Sequence, residues 1–140
     1  MRREKKMYNV IVADDEKNIR EGIVELIEWE KLGCKVCASM QNGAQVLKYL
    51  EEEKIHVDII ITDIKMPIMD GMELIGMLNE RFPDIKVIIL TAYSDFTYAQ
   101  QAIKFQVSDF VVKNDFFLEL PRACLKNKNC TKRMFHFPFS

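Results

Sequence analysis

The chain has 140 residues, the length of a single globular domain. Its hydrophobic share of 49%, charged share of 29% and net charge of −1 are those of an ordinary globular protein. The near-neutral balance excludes a general basic surface for nucleic acid, and no apolar run reaches the roughly 18 residues of a membrane span. The charged residues 1–7 lack the apolar stretch of a signal peptide, so we expect a cytoplasmic protein.

Strand-like and helix-like segments alternate along the first half of the chain. A strand over 8–13 precedes a helix over 16–27, and a strand over 34–40 precedes a helix over 43–53. The third strand, over 57–62, is an almost uninterrupted apolar run, which is typical of a strand whose two faces are both covered.

The alternation continues in the second half. Asp70-Gly71-Met72-Glu73 has the form of a capping box and predicts a third helix to about Arg81. The remaining elements are predicted as a strand over 86–91, a helix from Ser94 or Asp95 to about Phe105, a strand over 109–112 and a helix over 118–125, in which Pro121 is tolerated only in the first turn. Five β-α repeats predict an α/β fold, with a parallel sheet, right-handed crossovers and helices on both faces.

The cysteines include one C-x-x-C pair, Cys34 and Cys37, which invites a zinc or redox interpretation. The pair lies in a predicted strand, where residues three apart point to opposite faces. No second pair is present, and the two histidines are distant in sequence. We therefore predict reduced, structural thiols.

Polar residues stand where four of the predicted strands end. Asp14 and Asp15 follow the first strand, Asp63 the third, Thr91 ends the fourth, and Lys113 follows the fifth. Ligands of open parallel sheets bind at this edge. Carboxylates suit Mg²⁺, an aspartate can act as a nucleophile, and a hydroxyl and an ammonium can bind phosphoryl oxygens. In isolation the acidic pair could be an ordinary helix start and the lysine a surface residue; together they favour a site for a metal and a phosphoryl group.

With these motifs in order, the chain resembles a response-regulator receiver domain over residues 7–126. The resemblance is carried by Val10–Glu16, Asp63–Gly71, Leu90–Ala92 and Val111–Lys113. It implies a flavodoxin-like (βα)5 fold, a doubly wound parallel sheet with strand order 2-1-3-4-5.

The resemblance also implies roles for the residues at the strand ends. Asp63 would accept a phosphoryl group from a histidine kinase, while Thr91 and Lys113 bind that group. The implied Mg²⁺ ligands are Asp14, Asp15, Asp63 and the backbone carbonyl of Lys65. Thr91 and Phe110 would form the switch, and Lys65 and Tyr93 would tune the phosphate lifetime.

Two segments, 29–33 and 93–100, resemble more narrowly the receivers of AraC-type transcriptional regulators. This implies a phosphorylation-dependent homodimer through the face of the fourth helix, fifth strand and fifth helix. Control of transcription would then run through a DNA-binding domain missing from this chain, and the receiver itself would not contact DNA. Residues 127–140 are expected to be a disordered tail or a truncated effector connection.

Two alternatives remain open at this point. A magnesium-dependent aspartyl-phosphate hydrolase of haloacid-dehalogenase type also uses an aspartate at a strand end, but it needs a second aspartate where Lys65 stands. A phosphate-independent interaction module would keep the fold alone. We expect no enzyme beyond self-catalysed phosphorylation and dephosphorylation. Asn114 occupies the usual proline position after Lys113, which predicts slower phosphorylation.

Overall fold

The computed structural model describes residues 7–92, 97, 100 and 107–128. These residues contain one parallel sheet of five strands in the order β2-β1-β3-β4-β5. The strands are β1 (Tyr8–Ala13), β2 (Cys34–Met40), β3 (Ile59–Asp63), β4 (Lys86–Thr91) and β5 (Asp109–Val112). The predicted flavodoxin-like topology is therefore confirmed.

Helices cover both faces of this sheet. They are α1 (Lys17–Leu26), α2 (Gly43–Glu52), α3 (Gly71–Arg81) and a C-terminal helix (Phe116–Lys128), with 3-10 turns at Trp29–Leu32 and Lys113–Asp115. The predicted fourth helix lies outside the described residues except at Thr97 and Gln100. None of the described helices is long and apolar enough to cross a membrane.

Alternate residues of each central strand enter two separate cores. In β3, Ile60 packs with the residues of α2 and α3, whereas Ile59 and Ile61 pack with those of α1 and the C-terminal helix. All three side chains are completely buried. Each contributes about 1.5–3 kcal/mol by leaving water. Burial on both faces explains why the sequence of β3 is apolar without alternation.

The second cysteine of the C-x-x-C pair lies at a bulge in β2. Val10 pairs with Val36 but Ile11 pairs with Ala38, so Cys37 is the extra residue. Cys34 is buried in the core on the α1 side, while Cys37 packs against the opposite core. The prediction that the two thiols face opposite sides is confirmed, and burial raises the pKa of Cys37.

The turn between β3 and α3 is held closely against the end of the strand. Asp70 caps α3 by accepting a hydrogen bond from the Glu73 N–H at 2.9 Å, as the capping box predicted. The Gly71 N–H donates to the Ile64 carbonyl at 2.7 Å, and a Cβ at Gly71 would clash with the Asp63 backbone. Only glycine therefore lets the helix start this close to Asp63.

The C-terminal helix departs from the prediction at its start. It begins at Phe116, directly after the 3-10 turn, so Pro121 lies in its second turn and not in its first. Proline at this position removes a backbone donor. The buried side chains of Leu120, Ala123 and Cys124 anchor this part of the helix in the core. The packing of these side chains in the core thus outweighs the tendency of Pro121 to interrupt the helix.

Candidate functional site

Parallel strand pairing brings the predicted site residues to one edge of the sheet. The register between β1 and β3 places Asp14 and Asp63 side by side, and that between β4 and β5 does the same for Thr91 and the residue before Lys113. Asp14, Asp63, Thr91 and Lys113 are all buried, with exposed fractions of 0, 3, 2 and 8%, respectively. Buried charges need partners, so their contacts decide what this site can do.

Lys113 is the centre of the site. Its Nζ lies 2.9 Å from Asp63 Oδ2, 3.1 Å from Asp14 Oδ2 and 3.0 Å from Glu16 Oε1. One ammonium therefore contacts three carboxylates and offsets only part of their negative charge. Asn114 in the usual proline position does not prevent Lys113 from reaching Asp63.

The two buried aspartates retain an excess of negative charge. Burial raises the pKa of Asp63 to about 6; the Asp14 charge adds to this rise, while Lys113 and the Ile64 N–H oppose it. Burial also raises the pKa of Asp14, although a hydrogen bond from the Glu16 N–H and the charge of Lys113 oppose that shift. One lysine is too little positive charge for this site.

Lys113 itself stays charged. Burial lowers its pKa, but hydrogen bonds to Asp63 and Glu16 and the charges of Asp14 and Asp63 outweigh burial and raise the pKa above its ordinary value. The ammonium is therefore a permanent cation at this edge of the sheet.

The donor set fits a divalent cation. Asp14 Oδ2 forms an ion pair with Lys113 but accepts no hydrogen bond. Among the described residues, it is the one buried side-chain oxygen or nitrogen without a hydrogen-bond partner. Carboxylate oxygens of Asp14, Glu16 and Asp63 lie within 4.8 Å of one another. Hard cations such as Mg²⁺ take oxygen ligands of this kind. The residues present therefore form an acidic pocket that could bind a metal.

The third acid of this pocket is not the one that the sequence predicted. Asp15 is exposed and lies outside the group formed by Asp14, Glu16 and Asp63. Glu16, which the sequence analysis did not select, contacts Lys113 directly. Its position next to two predicted ligands was the available signal. It was missed because acids are common where helices begin.

The remaining predicted residues surround this centre. The Thr91 hydroxyl donates to the Ala92 carbonyl at 3.0 Å. Phe110 is half-buried and packs against the core on the α2–α3 side. The side chain of Lys65 is exposed, and Tyr93 lies outside the described residues. The switch and tuning roles of these residues stay predictions.

Comparison with known proteins decides the family. Residues 10–121 match the response regulator receiver domain. The chain belongs to this family. It is thus a receiver domain of two-component signalling, which confirms the predicted resemblance and favours a receiver over the hydrolase alternative.

Individual relatives agree with this assignment. The chain is 38% identical over 107 residues to the transcriptional regulatory protein YesN of Bacillus subtilis, which covers 76% of this chain and 28% of that protein. It is 32% identical to the transcriptional regulatory protein HptR of Staphylococcus aureus, covering 76% and 41%. The chain therefore spans less than half the length of these curated relatives.

Solved structures resemble the chain in the same way. The receiver domain of AraT, a response regulator from Geobacillus stearothermophilus, has a TM-score of 0.76 and 35% identity, covering 86% of this chain and 94% of that one. A DNA-binding response regulator of the LuxR family from Staphylococcus aureus has a TM-score of 0.77 and 29% identity, covering 88% and 100%.

Proposed function

We propose that this receiver accepts a phosphoryl group on Asp63 from the phosphohistidine of a histidine kinase. The observation that carries the proposal is the pairing of buried Asp63 Oδ2 with Lys113 Nζ at 2.9 Å, beside an Asp14 oxygen that lacks a hydrogen-bond donor. A nucleophile, a fixed cation and an unsatisfied carboxylate at one strand edge are the parts that phosphoryl transfer to an aspartate needs.

The residues that would hold Mg²⁺ are Asp14 and Asp63, together with Asp15 and the Lys65 backbone carbonyl as the family resemblance implies. When bound, the ion screens the negative charge of the phosphoryl oxygens. The buried Asp14 Oδ2 supports this assignment, because it accepts no hydrogen bond and shares the Lys113 ammonium with two other carboxylates.

The chain's own residues carry the transfer. Asp63 Oδ2 attacks phosphorus as Lys113 releases it, so an oxygen–phosphorus bond forms while the phosphorus–nitrogen bond to the kinase histidine breaks. The imidazole nitrogen keeps the electron pair of the broken bond and takes up a proton. Lys113 then pairs with one phosphoryl oxygen and the Thr91 hydroxyl donates to another, in place of its bond to Ala92.

Phosphorylation would be communicated through Thr91 and Phe110. Phe110 lies on β5 and pairs in the sheet with Ile89, two residues before Thr91 on the neighbouring β4. A shift of Thr91 toward the phosphoryl group would change the packing around Phe110. The surface that responds is the one formed by the fourth predicted helix, β5 and the C-terminal helix, and we infer that it pairs with a second copy. Lys65 and Tyr93 would set the lifetime of the phosphorylated state.

The output we infer is transcriptional. The relatives named above are transcriptional regulators, and this chain matches only a part of their length. DNA contact would belong to another domain, to which residues 127–140 could lead.

Intact-mass measurement tests the phosphoacceptor. With Mg²⁺ and a small phosphodonor, we expect one acid-labile phosphoryl group on the chain and none on Asp63→Asn. Asp84→Asn, which changes an exposed carboxylate away from the site, is the matched control and should be labelled like the unaltered protein. Absence of the adduct with every donor, or an undiminished adduct on Asp63→Asn, would overturn the proposal.

A further inference from the structure

Lys113 occupies the oxygen on which the proposed chemistry depends. Asp63 Oδ1 accepts a hydrogen bond from the Ile64 N–H at 2.7 Å, and Asp63 Oδ2 accepts one from Lys113 at 2.9 Å. Both carboxylate oxygens are thus engaged in the resting site. The ammonium therefore competes with a metal ion or a phosphorus atom for Oδ2.

Glu16 provides the place to which the ammonium can move. Its Oε1 lies 3.0 Å from Lys113 Nζ, on a side chain that is 60% exposed, whereas the other two acids in contact with this ammonium are buried. Glu16 is thus the most solvated of the three acids that contact this ammonium. A small shift of the ammonium toward Glu16 would free Asp63 and Asp14 without leaving the lysine unpaired.

We propose that Glu16 is a positioning residue for Lys113, which it holds when the ammonium leaves Asp63 and Asp14. The inference rests on the proposed function, because it concerns access to the same phosphoacceptor. Without Glu16, displacement of Lys113 would leave a nearly buried ammonium with no carboxylate of its own, which is unfavourable. Glu16 would therefore favour binding of a divalent cation by acting on the lysine and not by touching the ion.

Exposure supports this division of roles between the acids. Asp14 is completely buried and has an unsatisfied oxygen, so it gains most from a metal. The Oε1 atom of Glu16 already accepts a hydrogen bond from Lys113, and the side chain is solvated. A solvated carboxylate with a cation partner has little to gain from a metal ligand role.

A Mg²⁺ titration monitored by thermal unfolding tests the inference, since an ion that binds only the folded state raises the melting temperature. We expect Glu16→Gln to raise the apparent dissociation constant for Mg²⁺ about three- to fivefold, the upper part of the range for loss of one partly exposed ion pair. Glu21→Gln, which removes an exposed acid of α1, is the matched control and should stay within about twofold of the unaltered protein.

Two further variants separate action through Lys113 from a plain charge effect. Glu16→Asp keeps the charge but withdraws the carboxylate oxygen from Lys113 Nζ. It should therefore weaken the binding of Mg²⁺ as much as Glu16→Gln does. In a Lys113→Met background, adding Glu16→Gln should change the affinity by less than about twofold. If the doubly altered protein does not fold, Glu16→Asp alone still decides against the charge effect.

The inference is overturned if Glu16→Asp binds Mg²⁺ like the unaltered protein, because charge alone would then suffice. An undiminished effect of Glu16→Gln without Lys113 would also overturn it, because the carboxylate would then act on the ion directly. If the unaltered protein shows neither a Mg²⁺ response nor a phosphoryl adduct, the proposed function fails as well. If it shows both and the Glu16 variants match it, only the positioning role fails.

Discussion

Two aspartates lie at opposite ends of β3, and their surroundings differ. Asp58, just before the strand, has a partner for each oxygen: the Asn9 N–H donates to Oδ2 at 2.8 Å, and His56 Nε2 lies 3.1 Å from Oδ1. Asp63, at the other end, is more deeply buried, shares one lysine with two other acids, and has its pKa raised to about 6 by burial.

The Asp58 end of the sheet therefore stabilises the fold, whereas the Asp63 end is suited to chemistry. Asp58 ties β1 to the start of β3 through the hydrogen bond that its Oδ2 accepts from the Asn9 N–H. Asp63 is held where its charge is costly, beside an Asp14 oxygen that lacks a donor. Functional sites commonly carry such costs, because an unsatisfied group is ready for a ligand.

The largest expected effect comes from removing the cation of the functional end. Lys113→Met should lower the free energy of unfolding of the metal-free protein at neutral pH by about 3 kcal/mol, because it leaves buried carboxylates unpaired. Urea unfolding measures this change. Lys126→Met, which alters an exposed lysine paired with Asp109 at 3.5 Å, should change it by less than about 1 kcal/mol. Equal losses in both variants would contradict the central role of Lys113.

Neutralising Asp58 and neutralising Asp63, at opposite ends of β3, should have opposite effects on the free energy of unfolding. Asp58→Asn should lower the free energy of unfolding by about 1–2 kcal/mol, because it weakens hydrogen bonds to a charged acceptor. Asp63→Asn should raise it by about 1 kcal/mol without Mg²⁺, because it removes a buried charge whose pKa is raised. Urea unfolding of both variants checks the signs. Destabilisation by both would end the contrast between the two ends of the strand.

The pH dependence sharpens the same contrast. Because the pKa of Asp63 rises from 3.8 to about 6 on folding, the folded state keeps a proton that the unfolded state releases between these values. Its contribution to stability should therefore fall as the pH rises through this window. Between pH 4 and pH 7, the free energy of unfolding of the metal-free protein should fall more steeply than that of Asp63→Asn. Parallel profiles would refute the raised pKa.

The smallest expected effect concerns strain in the loop of the functional end. Ile68 has φ 68°, in the left-handed region that disfavours a β-branched residue, and its side chain is 82% exposed. Ile68→Asn should raise the free energy of unfolding by about 0.5–1 kcal/mol, because asparagine tolerates this conformation. Ile55→Asn, at another exposed isoleucine without positive φ, should give no such gain. A gain in both variants would point to surface polarity, not to strain.

Much of the fold could be predicted because its signals are local. The bounds of β1, β2, β4 and β5 agree with the predicted strands, and the capping box at Asp70 marks the start of α3. The start of the C-terminal helix and the place of Pro121 could not be predicted, because the buried contacts of that helix come from distant parts of the chain.

The candidate site divides in the same manner. The positions of Asp14, Asp63, Thr91 and Lys113 at strand ends follow from the sequence, because apolar runs and their interruptions are properties of neighbouring residues. The contact of Lys113 with three acids, of which the third is the exposed Glu16 and not Asp15, follows from the fold. These contacts depend on the direction in which the long side chains of Lys113 and Glu16 point, which the spacing of residues in the sequence does not specify.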